Sequence, residues 1–89
     1  VDPKTAILAF LAGRSPAAYT EAVIARHVIS SGRLSSPPAS VHGNLEWMAS
    51  DSGGRLVESR YDGTQGDLVW WATAAGCARW AQDGRPYIP

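Results

Sequence analysis

Residues 40–73, SVHGNLEWMASDSGGRLVESRYDGTQGDLVWWAT, leave few architectures open to this chain. Val41, Leu45 and Met48 follow one another at the spacing of an amphipathic helix, and Ser52-Gly53-Gly54 stops it. Two runs rich in β-branched and aromatic residues come next, 55–61 (RLVESRY) and 67–73 (DLVWWAT). Between them lies DGTQG, residues 62–66, whose glycines suit the tip of an antiparallel hairpin. A helix over about 38–51 that passes directly into a hairpin places the chain in the α+β class.

The segments on either side supply further helices. Asp2-Pro3 reads as an N-cap followed by proline at the first helical position. Ile7, Leu8 and Leu11 then share one face of a helix over about 3–12, which Gly13 and Ser15-Pro16 bring to an end. Thr20 caps a second helix over 21–30, with Glu21 in its first turn and Val23, Ile24, Ala25 and Val28 on its apolar face. Residues 32–38 (GRLSSPP) form a loop that ends at a proline-primed helix start. The face of the third helix opposite its stripe carries Ser40, His42, Gly43, Glu46 and Trp47. Thr73 caps a short last helix over about 74–82, ended by Gly84. All 89 residues form one domain, 1–89, with a core that has to be efficient at this length.

Eight Lys and Arg balance eight Asp and Glu, so the chain lacks the basic excess usual in nucleic-acid-binding domains. The cations, Lys4 and the arginines at 14, 26, 33, 55, 60, 79 and 85, are scattered. One cysteine, Cys77, offers no internal disulfide, and no stretch reads as a membrane span or signal peptide, so a cytoplasmic setting is expected. His27, His42 and Cys77 lack the short spacings of zinc ligands. Neither they nor the glycines of the turns make a catalytic or phosphate-binding constellation, so no enzyme, metal or cofactor is expected.

Three helices followed by a hairpin, with S-V-x-x-x-L-x-x-M in the third helix and a leucine-valine strand soon after, resemble the winged helix-turn-helix family. The likeness is to small regulators of the MarR, ArsR and PadR kind and to archaeal phage-repressor-type domains, and it covers roughly residues 6–80. It implies a winged helix fold with a three-helix core, a C-terminal β-hairpin wing and a short last helix. It also implies sequence-specific binding of duplex DNA by a small transcriptional regulator acting as a homodimer. By position, Ser40, His42, Gly43 and Asn44 would meet base edges. Arg60, Thr64 and Gln65 on the wing, with Arg33 and Arg55 flanking, would meet the backbone. Two departures stand out: Gly43 and Glu46 occupy a face that commonly carries Arg or Lys, and the connection between the second and third helices is long for a helix-turn-helix.

The alternative is a winged helix that serves as a protein-protein interaction module. Trp47 lies about 200° around its helix from Leu45, off the core stripe, and tryptophan is enriched at interface hot spots. Trp47 and Trp80 are therefore candidate interface residues. The apolar surplus of the first helix and of residues 74–80 offers a surface for dimerisation. Trp70 and Trp71, adjacent in a strand, must point to opposite faces.

Overall fold

The computed structural model describes residues 3–30 and 38–84. Helix α1 spans Pro3–Gly13, followed by a short strand β1 (Tyr19–Thr20), helix α2 (Glu21–Ser30) and helix α3 (Pro38–Ala49). Strands β2 (Val57–Asp62) and β3 (Asp67–Ala72) form the hairpin, and helix α4 (Ala74–Arg79) continues into a π-helical turn, Trp80–Gly84. The sheet is antiparallel with order β1-β3-β2, so β3 is central and the strand nearest the N-terminus lies at one edge. The result is a small α+β globule in which helices pack against a three-stranded antiparallel sheet, whose central strand buries Val69 on one face and Trp70 and Ala72 on the other.

Apolar spacing explains which helix faces are buried. Ile7, Leu11, Ile24, Val28, Val41, Leu45 and Met48 are all at most 1% exposed, and they meet Val57, Trp70 and Ala72 from the sheet in one core. Helix α1 is buried more completely than one stripe requires, because every residue from Ala6 to Leu11 is covered. Phe10 accounts for part of this, packing 5.0 Å from the Tyr19 ring and 4.7 Å from the His27 ring. The apolar surplus of the first helix is thus taken up by the chain's own core, which removes it as a dimerisation surface. Ala74, Ala75 and Ala78 on α4 are exposed.

The register fixes which side chains share a face. Val57 opposes Ala72, Ser59 opposes Trp70, which also opposes Tyr19, and Tyr61 opposes Leu68. Trp70 is buried and Trp71 half-buried, as their alternation demands. Toward the hairpin tip the sheet runs past its helical cover, leaving Tyr61 66% and Leu68 38% exposed on the same side that buries Trp70.

Capping follows the expected chemistry at two helix starts. Thr20 Oγ1 accepts from the Val23 amide at 3.4 Å, and Thr73 Oγ1 accepts from the Gly76 amide at 3.0 Å. Several boundaries differ from the sequence reading. Helix α3 stops at Ala49 rather than 51, because the Ser50 hydroxyl donates to the Trp47 carbonyl at 2.6 Å and the chain tightens into a turn. Strand β2 begins at Val57 rather than 55. Arg55 has φ 51°, a left-handed conformation incompatible with a strand, and the Leu56 amide donates back to the Met48 carbonyl at 2.8 Å. Asp62 pairs with Asp67, so the hairpin tip is residues 63–66 and Asp62 belongs to the strand. Strand β3 ends at Ala72, freeing Thr73 to cap α4, and the last helix turns π-helical after Arg79. Strand β1 has no counterpart in the sequence pattern: two residues show no periodicity, and they become a strand only by lying against β3.

Two glycines hold this assembly together by close approach. A Cβ on Gly53 would lie 1.9 Å from the Trp47 carbonyl oxygen, and one on Gly76 would lie 2.0 Å from that of Leu56. The first lets the chain reverse against the end of α3. The second lets α4 sit directly on the segment entering β2, where the Thr73 amide also donates to the Leu56 carbonyl at 3.0 Å.

Candidate functional site

Helix α3 carries two different surfaces, one near each end. The first holds the residues expected to read a ligand. Val41, Leu45 and Met48 face the core, which turns His42, Gly43, Asn44 and Glu46 toward the outside or its margin. Ser40 lies on the first turn of α3, and Arg33 lies outside the described residues.

His42 is held between two carboxylates. Its Nδ1 lies 2.5 Å from Glu21 Oε2 on α2, and its Nε2 lies 3.1 Å from Glu46 Oε1 one turn further along α3. Only the imidazolium can donate from both ring nitrogens at once. The hydrogen bond and charge of Glu21, with a smaller contribution from Glu46, accordingly raise the His42 pKa above the ordinary value of 6.5. The histidine thereby ties α2 to α3. Gly43 is exposed, and a Cβ there would meet nothing within 4 Å.

Arg55 and Arg60 are also accompanied by carboxylates. Arg55 pairs with Asp51 across the turn that follows α3. Arg60 shares a strand face with Glu58 and Asp62. The Asp62 pKa is lowered chiefly by the Thr64 amide, which donates to its Oδ1 at 2.9 Å, and least by the charge of Arg60. Gln65 Nε2 donates to the other oxygen of Asp62 at 3.4 Å, so Thr64 and Gln65 help to build the tip they occupy. Arg55, Arg60, Thr64 and Gln65 thus lie on the turn and hairpin that follow α3, and His42 is fastened to α2.

The second surface lies at the C-terminal end of α3. Trp47 is 47% exposed, and the Lys4 ammonium of α1 sits 5.0 Å from the centre of its ring. Trp80 packs half-buried against the core from the π-helical turn. These two tryptophans, singled out separately by sequence, line one hollow of about 380 Å³ with Leu8, Met48, Lys4 and Arg79. The turn through Gly53 and Gly54 closes another side of it. Sequence reasoning missed Lys4 and Arg79 here, since neither stands near Trp47 in the chain; the last-turn position of Arg79 on a short helix was the only signal it offered.

Among the described residues no group of His, Cys, Asp and Glu is arranged to hold a metal ion, and no helix is long and apolar enough to cross a membrane. Comparison with protein-family models, with curated proteins and with solved structures finds no match.

Proposed function

We propose that this chain is a winged helix domain that binds duplex DNA as a small, non-enzymatic transcriptional regulator in the cytoplasm. The observation that carries this reading is the order of elements together with the sheet order β1-β3-β2. Strand β1, between α1 and α2, completes a sheet whose other two strands leave the helices as a projecting hairpin. That organisation supports α3 as the element entering the major groove and the hairpin as a wing along the flanking backbone. Ser40, His42, Gly43 and Asn44 would face the bases. Arg55, Arg60, Thr64 and Gln65, with Arg33, would face the backbone, and two copies would address two half-sites about one helical turn apart.

A salt titration of binding to random duplex tests this directly. DNA binding through phosphates requires affinity to fall steeply as salt rises, and Arg60→Ala to reduce the slope by about one while weakening all sequences alike. No measurable binding at low salt would sink the reading. The second reading, a winged helix used as a protein interaction module, is favoured by the carboxylates that accompany His42, Arg55 and Arg60, since these oppose a phosphate backbone. Flat salt dependence together with capture of a protein partner through Trp47 is the outcome it requires.

A further inference from the structure

Strand β2 has β3 on one side only, so among the described residues its outer edge is a row of backbone groups with no strand beside it. One bond tells which residues own that row. The Thr73 amide donates to the Leu56 carbonyl at 3.0 Å, which makes these two a hydrogen-bonded pair in the register of β2 with β3. Antiparallel ladders alternate, so Glu58, Arg60 and Asp62 also bond toward β3, and the N–H and C=O groups of Val57, Ser59 and Tyr61 point to the open edge. Side chains alternate in step. Glu58 and Arg60, both exposed, stand on one face of the sheet, and Val57 and Tyr61 stand on the other, where Tyr61 is 66% exposed. There is room beside the edge: a hollow of about 560 Å³ lies between Val57 and Ser59 on β2, Ala49 at the end of α3 and Asp51 in the turn after it.

We propose that this edge pairs with the same edge of a second copy of the chain, joining two three-stranded sheets into one across a two-fold axis at Ser59. With the axis there, Ser59 meets Ser59 and Val57 meets Tyr61. All three residues present outward groups, so about six ladder hydrogen bonds form. Glu58 of each copy then lies directly opposite Arg60 of the other. These are the closely spaced, non-hydrogen-bonded positions, where a pair of opposite charges is favourable. Charge also fixes the register. Shifting the axis to Arg60 or to Glu58 sets like charges against each other, and placing it between two residues sets outward backbone groups against inward ones. The sequence of β2 is thus complementary to itself, which singles out a second copy over another extended chain. Tyr61 of each copy comes opposite Val57 of the other, at the mouth of the hollow beside α3, and gains apolar cover that its own sheet does not give it. This pairing supplies a surface for the two copies proposed above but does not rest on DNA binding, because it forms without duplex.

Sedimentation equilibrium of the full chain without DNA, from micromolar to millimolar concentration, tests the interface. The wild type should pass from monomer to dimer within that range. Glu58→Arg and Arg60→Glu should each weaken dimerisation about tenfold or more, because each sets like charges across the axis, while a mixture of the two variants should associate as the wild type does. Damage to the fold is not repaired by mixing. Ser59→Pro should abolish the dimer and leave the circular dichroism spectrum of the monomer unchanged, because the N–H it removes is one that β3 does not use. A monomer that binds duplex would sink the pairing alone, and a dimer that binds no duplex would sink the DNA reading alone. A chain still monomeric at millimolar concentration would leave the edge to an extended segment of another protein and overturn the proposal. So would a dimer that survives Ser59→Pro, or a loss in the single charge variants that mixing does not restore.

Discussion

The two ends of α3 differ in how their charges and gaps are arranged, although they belong to one helix. Near the N-terminal end the cation, His42, is fastened by Glu21 and Glu46, and Gly43 leaves open space beside it. Near the C-terminal end the cations line an aromatic hollow, and the glycine of the adjoining turn, Gly53, has backbone pressed against it. One end is a polar surface whose histidine is held by two carboxylates; the other is a concave surface lined by two tryptophans. Polar contact at the first end would have to compete with ion pairs already made, whereas the second end offers indole surface to whatever fills it.

The largest effect that can break this contrast belongs to the two glycines. Gly53→Ala forces a Cβ into the Trp47 carbonyl, and urea denaturation should show a loss of about 2–3 kcal/mol, at the upper range for overpacking. A loss below about 0.5 kcal/mol would mean that the turn is loosely seated and the hollow poorly defined. Next in size is the double substitution His42→Ala, Asn44→Ala. For a base-reading helix, each base-edge hydrogen bond that the truncation removes should cost about 1–3 kcal/mol of discrimination, measured by competition between the best duplex site and random duplex. Unchanged discrimination would leave the N-terminal end of α3 without a reading role.

Gly43→Ala should act in the opposite sense to Gly53→Ala, raising stability by up to about 1 kcal/mol, because the space is open and alanine is the better helix former. If duplex binding weakens in this more stable variant, the glycine serves close approach to the DNA backbone; if binding is unaffected, it serves nothing of the kind. The smallest effect is the pH dependence of His42. A folded-state pKa raised by Glu21 means that the pairing stabilises the fold fully below about 6.5, the unfolded value, and that this contribution disappears as the pH rises through the raised pKa. The urea midpoint of the wild type should therefore decline over that window relative to His42→Gln. Parallel pH profiles for the two proteins would show that the imidazolium clamp does not form in solution.

Local signals were legible where a residue acts through its immediate neighbours. Thr20 and Thr73 cap the helices that follow them, and the stripe Val41, Leu45, Met48 is fully buried. The turn chemistry around Asp62 and Gly66 closes the hairpin, with the Gly66 amide donating to the Asp62 carbonyl at 2.8 Å. What escaped the sequence depends on partners far along the chain. Strand β1 exists because Tyr19 and Thr20 meet Trp70 and Val69. Phe10 is buried by Tyr19 and His27, outside any single helical stripe. On a helical wheel His42 is one more polar side chain, and it becomes a bridge only when α2 brings Glu21 to it.

The sequence by itself determined the succession of helices and hairpin, because caps, stripes and turn residues act over three or four positions and need no distant partner. The tertiary structure alone decided the sheet order, the fastening of His42 and the meeting of Trp47 with Trp80 beside Lys4 and Arg79. The physical reason is range: hydrogen bonding and backbone conformation are settled among neighbours, whereas a hollow or an ion pair between elements exists only after the core has fixed how those elements pack.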